Sequence, residues 1–299
     1  MKQYSILRSK VELENHNILI RMIRTISVLI LNILPHKIIK SFMIKSSQDA
    51  STVVKKGGTT HALEVMYTRY DRKIFSRGYI KGIADMFWHH IVSQPKALRN
   101  RLKIVRTVLR EKIIDLINNH KGSNHRVIFV LSIAGGSSRS IIYAINDLKN
   151  CGVNHQINIV TIDKDKSALE VGMGVAKEYG LQNNFEWING NARDIEQLLP
   201  QKKFDIIEIV GLLDYFESDR LIRLLNLSYR IMNEKGFLII ANVIPNNEYK
   251  FVQKTGWPKM YYRKPEELLE LLRVSGFKYK NDIIIEPLNV HCIAIAQKQ

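Results

Sequence analysis

From residue 126 onward the chain alternates between short apolar runs and longer stretches whose apolar residues recur every three or four positions. Residues 126–133 ("RVIFVLSI") are too uniformly apolar for a half-exposed strand, which predicts a strand buried on both faces, as in a parallel sheet. Ile141, Ile142 and Ile145 then repeat at helical intervals. Further strands are predicted at 157–162 ("INIVTI"), 185–188 ("FEWI"), 204–210 ("FDIIEIV") and 237–243 ("FLIIANV"). Between them lie a helix reaching Tyr179 and closed by Gly180, and an amphipathic helix over 217–232, after which Gly236 is expected to turn the chain. Pro265 begins another helix, where its missing N–H costs nothing, and Gly276 ends it. Residues 283–285 and 290–296 flank a turn through Pro287 and Asn289, an antiparallel hairpin. This alternation predicts an α/β fold, a Rossmann-like doubly wound sheet with a C-terminal antiparallel hairpin. Ligands would bind at the carboxyl ends of its strands.

The first 125 residues read differently. Residues 61–120 are predicted helical, with aromatics at Tyr67, Tyr70, Phe75, Tyr79, Phe87 and Trp88. A basic run follows at Arg99, Arg101, Lys103, Arg106 and Arg110. Residues 46–60 ("SSQDASTVVKKGGTT") are polar and end in Gly57-Gly58, which reads as a linker, and Gly122 to Asn124 make a second break. Three parts follow: a basic amphipathic N-terminal segment with its linker (1–60), a helical cap region (61–121) and the sheet domain (122–299). There are no internal repeats.

Charge sharpens this division. The chain of 299 residues carries a net charge of +17. Residues 1–125 hold 23 Lys/Arg and 8 Asp/Glu, whereas the rest holds 22 and 20. The basic surplus therefore belongs to the N-terminal part and suggests an anionic partner there: nucleic acid, a membrane surface or an acidic substrate. Residues 18–34 ("ILIRMIRTISVLILNIL") are interrupted by Arg21 and Arg24, leaving ten uncharged residues before Pro35, against roughly 20 needed to span a bilayer. As a helix, Arg21, Arg24, Thr25, Val28 and Asn32 share one mostly polar side, and isoleucines and leucines cover the remainder. This predicts an interfacial or core helix, one that touches a membrane peripherally or closes over the ligand site as a lid. Glu12, Glu14 and the lack of a small-residue cleavage site argue against a signal peptide. Cys151 and Cys292 supply neither metal spacing nor a disulfide framework, in keeping with a cytoplasmic protein.

The candidate chemistry lies at the strand ends. "SIAGGSSRS" joins a buried strand to a helix through small residues that let a ligand approach the backbone and its free N–H groups. The second strand runs into Asp163 ("TIDKDKSAL"), placed to accept hydrogen bonds from both hydroxyls of a ribose. Asp165, beyond the strand end, is better suited to a helix N-cap. After the third strand comes "NGNARDI", where Asn191 and Ala192 would lie beside an adenine.

With these features the chain resembles the class I S-adenosylmethionine-dependent methyltransferases, over residues 126–298. The resemblance rests on the glycine loop, Asp163, Asn191-Ala192, "FDIIEIVGLLDYF" and the terminal hairpin; dinucleotide-binding dehydrogenases end in a parallel strand instead. It implies S-adenosyl-L-methionine as cofactor, held by Ser132, Ala134, Gly135, Gly136, Asp163, Asn191, Ala192 and Gly211. The loop departs from the family's acidic-x-Gly-x-Gly-x-Gly pattern: Ser132 replaces the acid, Ala134 the first glycine and Ser138 the last. The cofactor's ammonium would then fall to Ser132 or to backbone carbonyls. "GLLDYF", "GWPKMYYRKPEEL" and "KALRNRLKIV" are similar to bacterial enzymes that methyl-esterify 3-hydroxy fatty acids as quorum signals. That similarity places Asp214 and Tyr215 at the cofactor–acceptor boundary in catalytic roles. Trp257, Tyr261 and Tyr262 would wall the acceptor, with Arg263 also binding it. Arg99 and Arg101 would meet the cofactor or an acyl carboxylate.

The reaction so implied is an in-line displacement at a sulfonium methyl, in which alignment is the protein's main task. A carboxylate acceptor needs no general base; a hydroxyl or amine would need one, and His89, His90, Asp214 or Tyr215 could serve. The absence of Asn-Pro-Pro-Tyr after the fourth strand argues against amino methylation of nucleobases. The expected activity is methyl transfer to a small-molecule or acyl acceptor. RNA methylation through the basic N-terminal part and non-catalytic cofactor binding are the alternatives.

Overall fold

A computed structural model describes residues 11–70, 78–119, 126–279 and 281–299. Phe75, the break at Gly122 to Asn124 and the first ten residues lie outside them. Seven strands form one sheet: β1 (Ile128–Ile133), β2 (Ile157–Asp163), β3 (Phe185–Asn189), β4 (Phe204–Val210), β5 (Met232–Val243), β6 (Asn281–Ile285) and β7 (His291–Gln297). Their order is β3-β2-β1-β4-β5-β7-β6. All neighbours are parallel except β7, which runs antiparallel to β5 and to β6. The reversal between β1 and β4 leaves the carboxyl ends of those strands facing an open crevice, where an α/β sheet binds its ligand.

The apolar strands follow from burial on both faces. One face packs against helices that include α9 (Ile195–Leu198), α10 (Ser218–Ile231) and α12 (Pro265–Val274), through Leu131, Ile195, Ile207, Leu225, Leu268 and Phe277. The other receives α6 (Ser93–Asn119), α7 (Arg139–Asn150) and α8 (Lys166–Glu178), with Ile104, Val108, Ile141, Ile145, Ile159 and Ile239 in one cluster. The helix α6, expected in the cap region, therefore shares a core with the sheet. Gly236 does not end a turn before β5. It lies inside that strand, where the pairing with β4 shifts register, and the left-handed residue is Lys235 with φ of 62°.

The N-terminal helices are α1 (Ile18–Ile33), α2 (His36–Ser46), α3 (Gln48–Lys55), α4 (Thr60–Thr68) and α5 (Tyr79–Met86), with a π-helical turn at Phe87–Ile91. The expected linker at 46–60 is largely α3. Ser47 caps it by accepting from the Ala50 N–H at 2.9 Å, and Ala50, Val53 and Val54 are buried. Burial of each valine stabilises by about 1.5–3 kcal/mol, which outweighs the polar composition that suggested a loop. Asp49, also buried, is paired with His89 and Arg69, both at 3.0 Å. These helices share a third cluster containing Ile39, Met43, Val53, Met66, Trp88 and Leu98. Phe251 of α11 (Tyr249–Lys254) closes it.

The helix α1 is amphipathic with its polar side inward. Only Val28 is buried, while Ile18 and Ile33 are 79% and 81% exposed. The Arg24 Nε donates to Glu248 Oε1 at 2.7 Å, and Asn32 Nδ2 donates to the Asn247 carbonyl at 3.0 Å. Lys254 donates to the carbonyls of Asn32 and Leu34 at 2.6 and 2.8 Å, satisfying the helix C-terminus.

Candidate active site

The crevice at the strand ends is a cavity of about 630 Å³, within the size range of small-ligand sites. Ala134, Gly135, Gly136, Asp163, Asn191, Ala192 and Gly211 all line it, as does Tyr215. In the loop after β1, the backbone is left-handed at Ala134, Gly136 and Ser138, with φ of 52°, 52° and 48°. The three positions at which the motif expects glycine thus keep the glycine conformation, although two carry side chains that disfavour it. The Asp163 carboxylate at the end of β2 accepts from the Gly136 N–H and the Asp165 N–H, one on each oxygen at 2.9 Å. Each oxygen retains a lone pair for a ligand hydroxyl. Burial pushes the Asp163 carboxyl above its ordinary value. Asp165 caps α8, accepting from the Ser167 N–H at 3.0 Å. Asn191 accepts from the Arg193 N–H at 3.1 Å and fixes the turn after β3.

Ser132 is wholly buried behind this loop and does not line the cavity. Its Oγ donates to Glu208 Oε2 at 2.7 Å, across the register pair Ser132–Glu208 of β1 and β4. Ser140 Oγ donates to the other oxygen. Glu208 does line the cavity, and burial raises its carboxyl above the usual range. The acid missing from β1 is therefore present one strand over. Its sequence signal was a lone glutamate in the apolar run "FDIIEIV", interpretable only once β4 is known to lie beside β1.

The N-terminal helices cover the crevice. Glu64 of α4 accepts from Arg139 Nε at 2.7 and 2.8 Å and from Ser137 Oγ at 2.8 Å, clamping α4 to the start of α7. A Cβ built on Gly136 would meet Thr60 Oγ1 at 2.5 Å, so that segment rests directly on the loop. The helix α1, expected as a lid or a membrane contact, lies against α11 and the π-helical turn and does not line the crevice.

A second, smaller cavity of about 60 Å³ adjoins the first, sharing Gly58, Leu63, Arg101, Gly211 and Tyr215 with it. Asp214, Trp257, Trp88, Phe251 and His291 complete much of its wall. Asp214 Oδ1 accepts from the Val243 N–H at 2.7 Å, which ties the turn after β4 to β5, and burial raises its carboxyl. The Tyr215 hydroxyl accepts from Trp257 Nε1 at 2.9 Å, leaving its proton to donate at the junction of the two cavities. Burial opposes ionisation of Tyr215, raising its pKa, so the phenol stays protonated. Arg101 donates to the Tyr67 hydroxyl at 3.2 Å, while its buried Nε has no partner among the described residues. Burial opposes the Arg101 charge, but Tyr67 and Asp214 beside it keep the guanidinium protonated above its ordinary value. His291 is fully buried and driven well below its usual value, hence neutral, and its Nδ1 is likewise unpartnered.

Several expected residues lie elsewhere. Tyr262 and Arg263 line neither cavity. The Arg263 guanidinium is engaged by the Leu213 and Phe216 carbonyls and by Asn242 Oδ1, bracing the turn after β4. Tyr262 packs edge-on against Tyr249, with 5.1 Å between ring centroids, and Tyr261 turns out to bond Glu217 at 2.6 Å. Arg99 is held by Glu14 at 2.6 and 2.7 Å and by the Met66 and His89 carbonyls. His89 and His90 reach neither cavity; His89 is tied to Asp49.

A seven-stranded sheet of this order, with its loop, acidic strand end and paired cavities, defines a class I methyltransferase. Residues 78–298 match the family described as "Putative methyltransferase", and the chain belongs to it. It is an S-adenosylmethionine-dependent methyltransferase. Over 154 residues it is 26% identical to a protein of Saccharolobus solfataricus described as "Probable cobalt-precorrin-6B C(15)-methyltransferase (decarboxylating)", a stretch covering 50% of this chain and 69% of that one. Its fold is similar to a "possible exported protein" of Bordetella parapertussis, with TM-score 0.58 and 14% identity, covering 89% of this chain and 97% of that one. It is also similar to a protein of Nostoc punctiforme described as a "putative O-methyltransferase", with TM-score 0.52 and 16% identity, covering 91% and 71%. The residues present fit the cofactor: Asp163 suits a ribose, Glu208 an ammonium, and the volume suits the whole molecule.

Proposed function

We propose that this methyltransferase acts on a small molecule bearing a carboxylate on an apolar body, and forms its methyl ester. The observation that carries this reading is the buried Arg101, which lines both cavities and whose Nε has no partner among the described residues. A buried cation with an open donor is costly unless an anion completes it. The surrounding Leu63, Met66, Trp88 and Phe251 would exclude water from such an anion. Bound S-adenosylmethionine supplies a sulfonium methyl group. The chain's own part is to accept the ribose hydroxyls at Asp163 and the ammonium at Glu208, and to present Asn191 and Ala192 to the adenine. Arg101, His291 Nδ1 and the Tyr215 hydroxyl would orient the acceptor carboxylate, which needs no general base. A 3-hydroxy fatty acid is the particular acceptor that the motif resemblance names; the second cavity, of about 60 Å³, would take its carboxyl end only, and its chain would extend into the larger crevice. We place the protein in the cytoplasm, in peripheral contact with the membrane.

Transfer of labelled methyl into a panel of acids, their amides and alcohols, and RNA tests this. Acids should be labelled. Arg101→Met should reduce kcat/KM for the acid by roughly 30- to 1,000-fold, the loss of a charge-assisted contact, while calorimetric affinity for S-adenosylmethionine stays within a few-fold. Labelling of RNA, or equal use of amide and acid, would overturn the carboxylate reading. Cofactor binding with no acceptor labelled would point to a non-catalytic binder.

A further inference from the structure

We propose that the outer face of α1, α2 and α5 is a docking surface for an anionic lipid bilayer, on which the protein rests without crossing it. This proposal is independent of the acceptor's identity. Among the described residues, ten of the twenty-one exposed large apolar side chains lie between positions 18 and 42, and the exposed Ile83 of α5 lines a groove with Ile30 and Phe42. Soluble monomers rarely expose contiguous apolar area on this scale without a partner. The patch is built rather than accidental, since Arg24, Asn32 and Lys254 fix α1 with its polar side inward. A groove of about 460 Å³ between these helices is lined by Ile30, Leu31, Phe42, Ile83 and Phe87. That groove is separated from the acceptor cavity by Trp88 and Phe251, which wall both.

Charge selects the occupant. The sequences of α1, α2 and α5 contain a single acid, Asp85, and it is buried. Lys37, Lys45 and Lys81 are exposed, and Lys37 and Lys45 flank Ile38 and Phe42 in one shallow depression. Apolar side chains rimmed by cations match the interface of an anionic leaflet, where each basic group contributes about 1 kcal/mol within a Debye length. A second copy of this chain is a poorer fit, because a two-fold contact would bring these lysines against one another. No helix among the described residues is long and apolar enough to cross a membrane.

Co-sedimentation of the full chain with phosphatidylcholine vesicles, with and without phosphatidylglycerol, tests the proposal. The protein should pellet with the anionic vesicles at low salt and be released at high salt. Ile26→Asp combined with Leu29→Asp and Phe42→Asp should cut partitioning at least about tenfold, with circular dichroism and calorimetric cofactor affinity unchanged. Lys37→Glu with Lys45→Glu should abolish the preference for phosphatidylglycerol. No binding, equal binding to neutral vesicles, or a triple variant that binds like the parent would each overturn it. So would a stable dimer in sedimentation equilibrium that the triple variant dissociates, since the face would then belong to a second copy.

Discussion

Two helices of this protein, α1 and α10, carry comparable amphipathic patterns and use them in opposite ways. The helix α10 buries Leu221, Leu224, Leu225 and Ile231 against the sheet and turns its charges outward. The helix α1 turns its isoleucines and leucines outward and seats Arg24 against Glu248. Glu248 is wholly buried, and also accepts from the Ser93 and Gln94 N–H groups at 2.9 and 3.3 Å, where α6 begins. A buried carboxylate is tolerated only with partners, and α1 supplies its cation. Periodicity predicts a helix with two faces; which face turns inward is decided by the polar partners that the rest of the fold provides.

The largest effects should separate the two helices outright. Leu225→Asp, which places a charge in the sheet's core, should cost about 4 kcal/mol or more and leave little folded protein in a urea titration. Ile26→Asp on α1 should lie within about 0.5 kcal/mol of the parent. Equal destabilisation by both would mean that α1 packs its apolar face inside the protein.

The sheet holds a polar residue facing inward too, at Glu208, and it offers the next largest effect. Glu208→Gln should weaken S-adenosylmethionine binding by roughly 10- to 100-fold through loss of a charged acceptor. The pH dependence has a definite sign. The Glu208 carboxyl is raised above 4.5 by burial, so its contribution to the stability of the ligand-free fold is present below that value and is lost as pH rises through the folded pKa. Cofactor affinity should run the other way, falling as acidification neutralises the carboxylate at a pH above the ordinary one. Calorimetry across pH should show this fall in the parent and a smaller one in Glu208→Gln, where Asp163, also raised by burial, remains to be neutralised. The smallest effect belongs to the loop: Ala134→Gly should stabilise by about 0.5–1 kcal/mol, since its left-handed backbone disfavours a Cβ, read as a shift in the urea midpoint.

The sheet-bearing part was legible because buried parallel strands, small-residue loops and a terminal hairpin each leave a local pattern. Asp163 and Asp165 were separable for the same reason: one ends a strand and the other begins a helix. What the sequence obscured was non-local. The helix α3 is hidden in Ser, Thr and Lys because only Ala50, Val53 and Val54 mark its buried side. Glu208 became intelligible through its register with Ser132. Arg101 and Arg99, two positions apart in one helix, point to different partners, Tyr67 beside the cavities and Glu14 away from them. Tyr262 and Arg263 follow Trp257 closely in sequence, yet Trp257 alone of the three lines the second cavity, and Arg263 braces the Leu213 and Phe216 carbonyls instead.

The sheet ends in two open edges, β3 and β6, each of five residues. Both are short and carry an outward acid, Glu186 on one and Asp282 on the other. Short charged edges resist pairing with a strand from another molecule. We therefore expect any self-association of this chain to start on its helical side, where the exposed apolar side chains of α1 and α2 favour reversible, detergent-sensitive clusters over cross-β fibres.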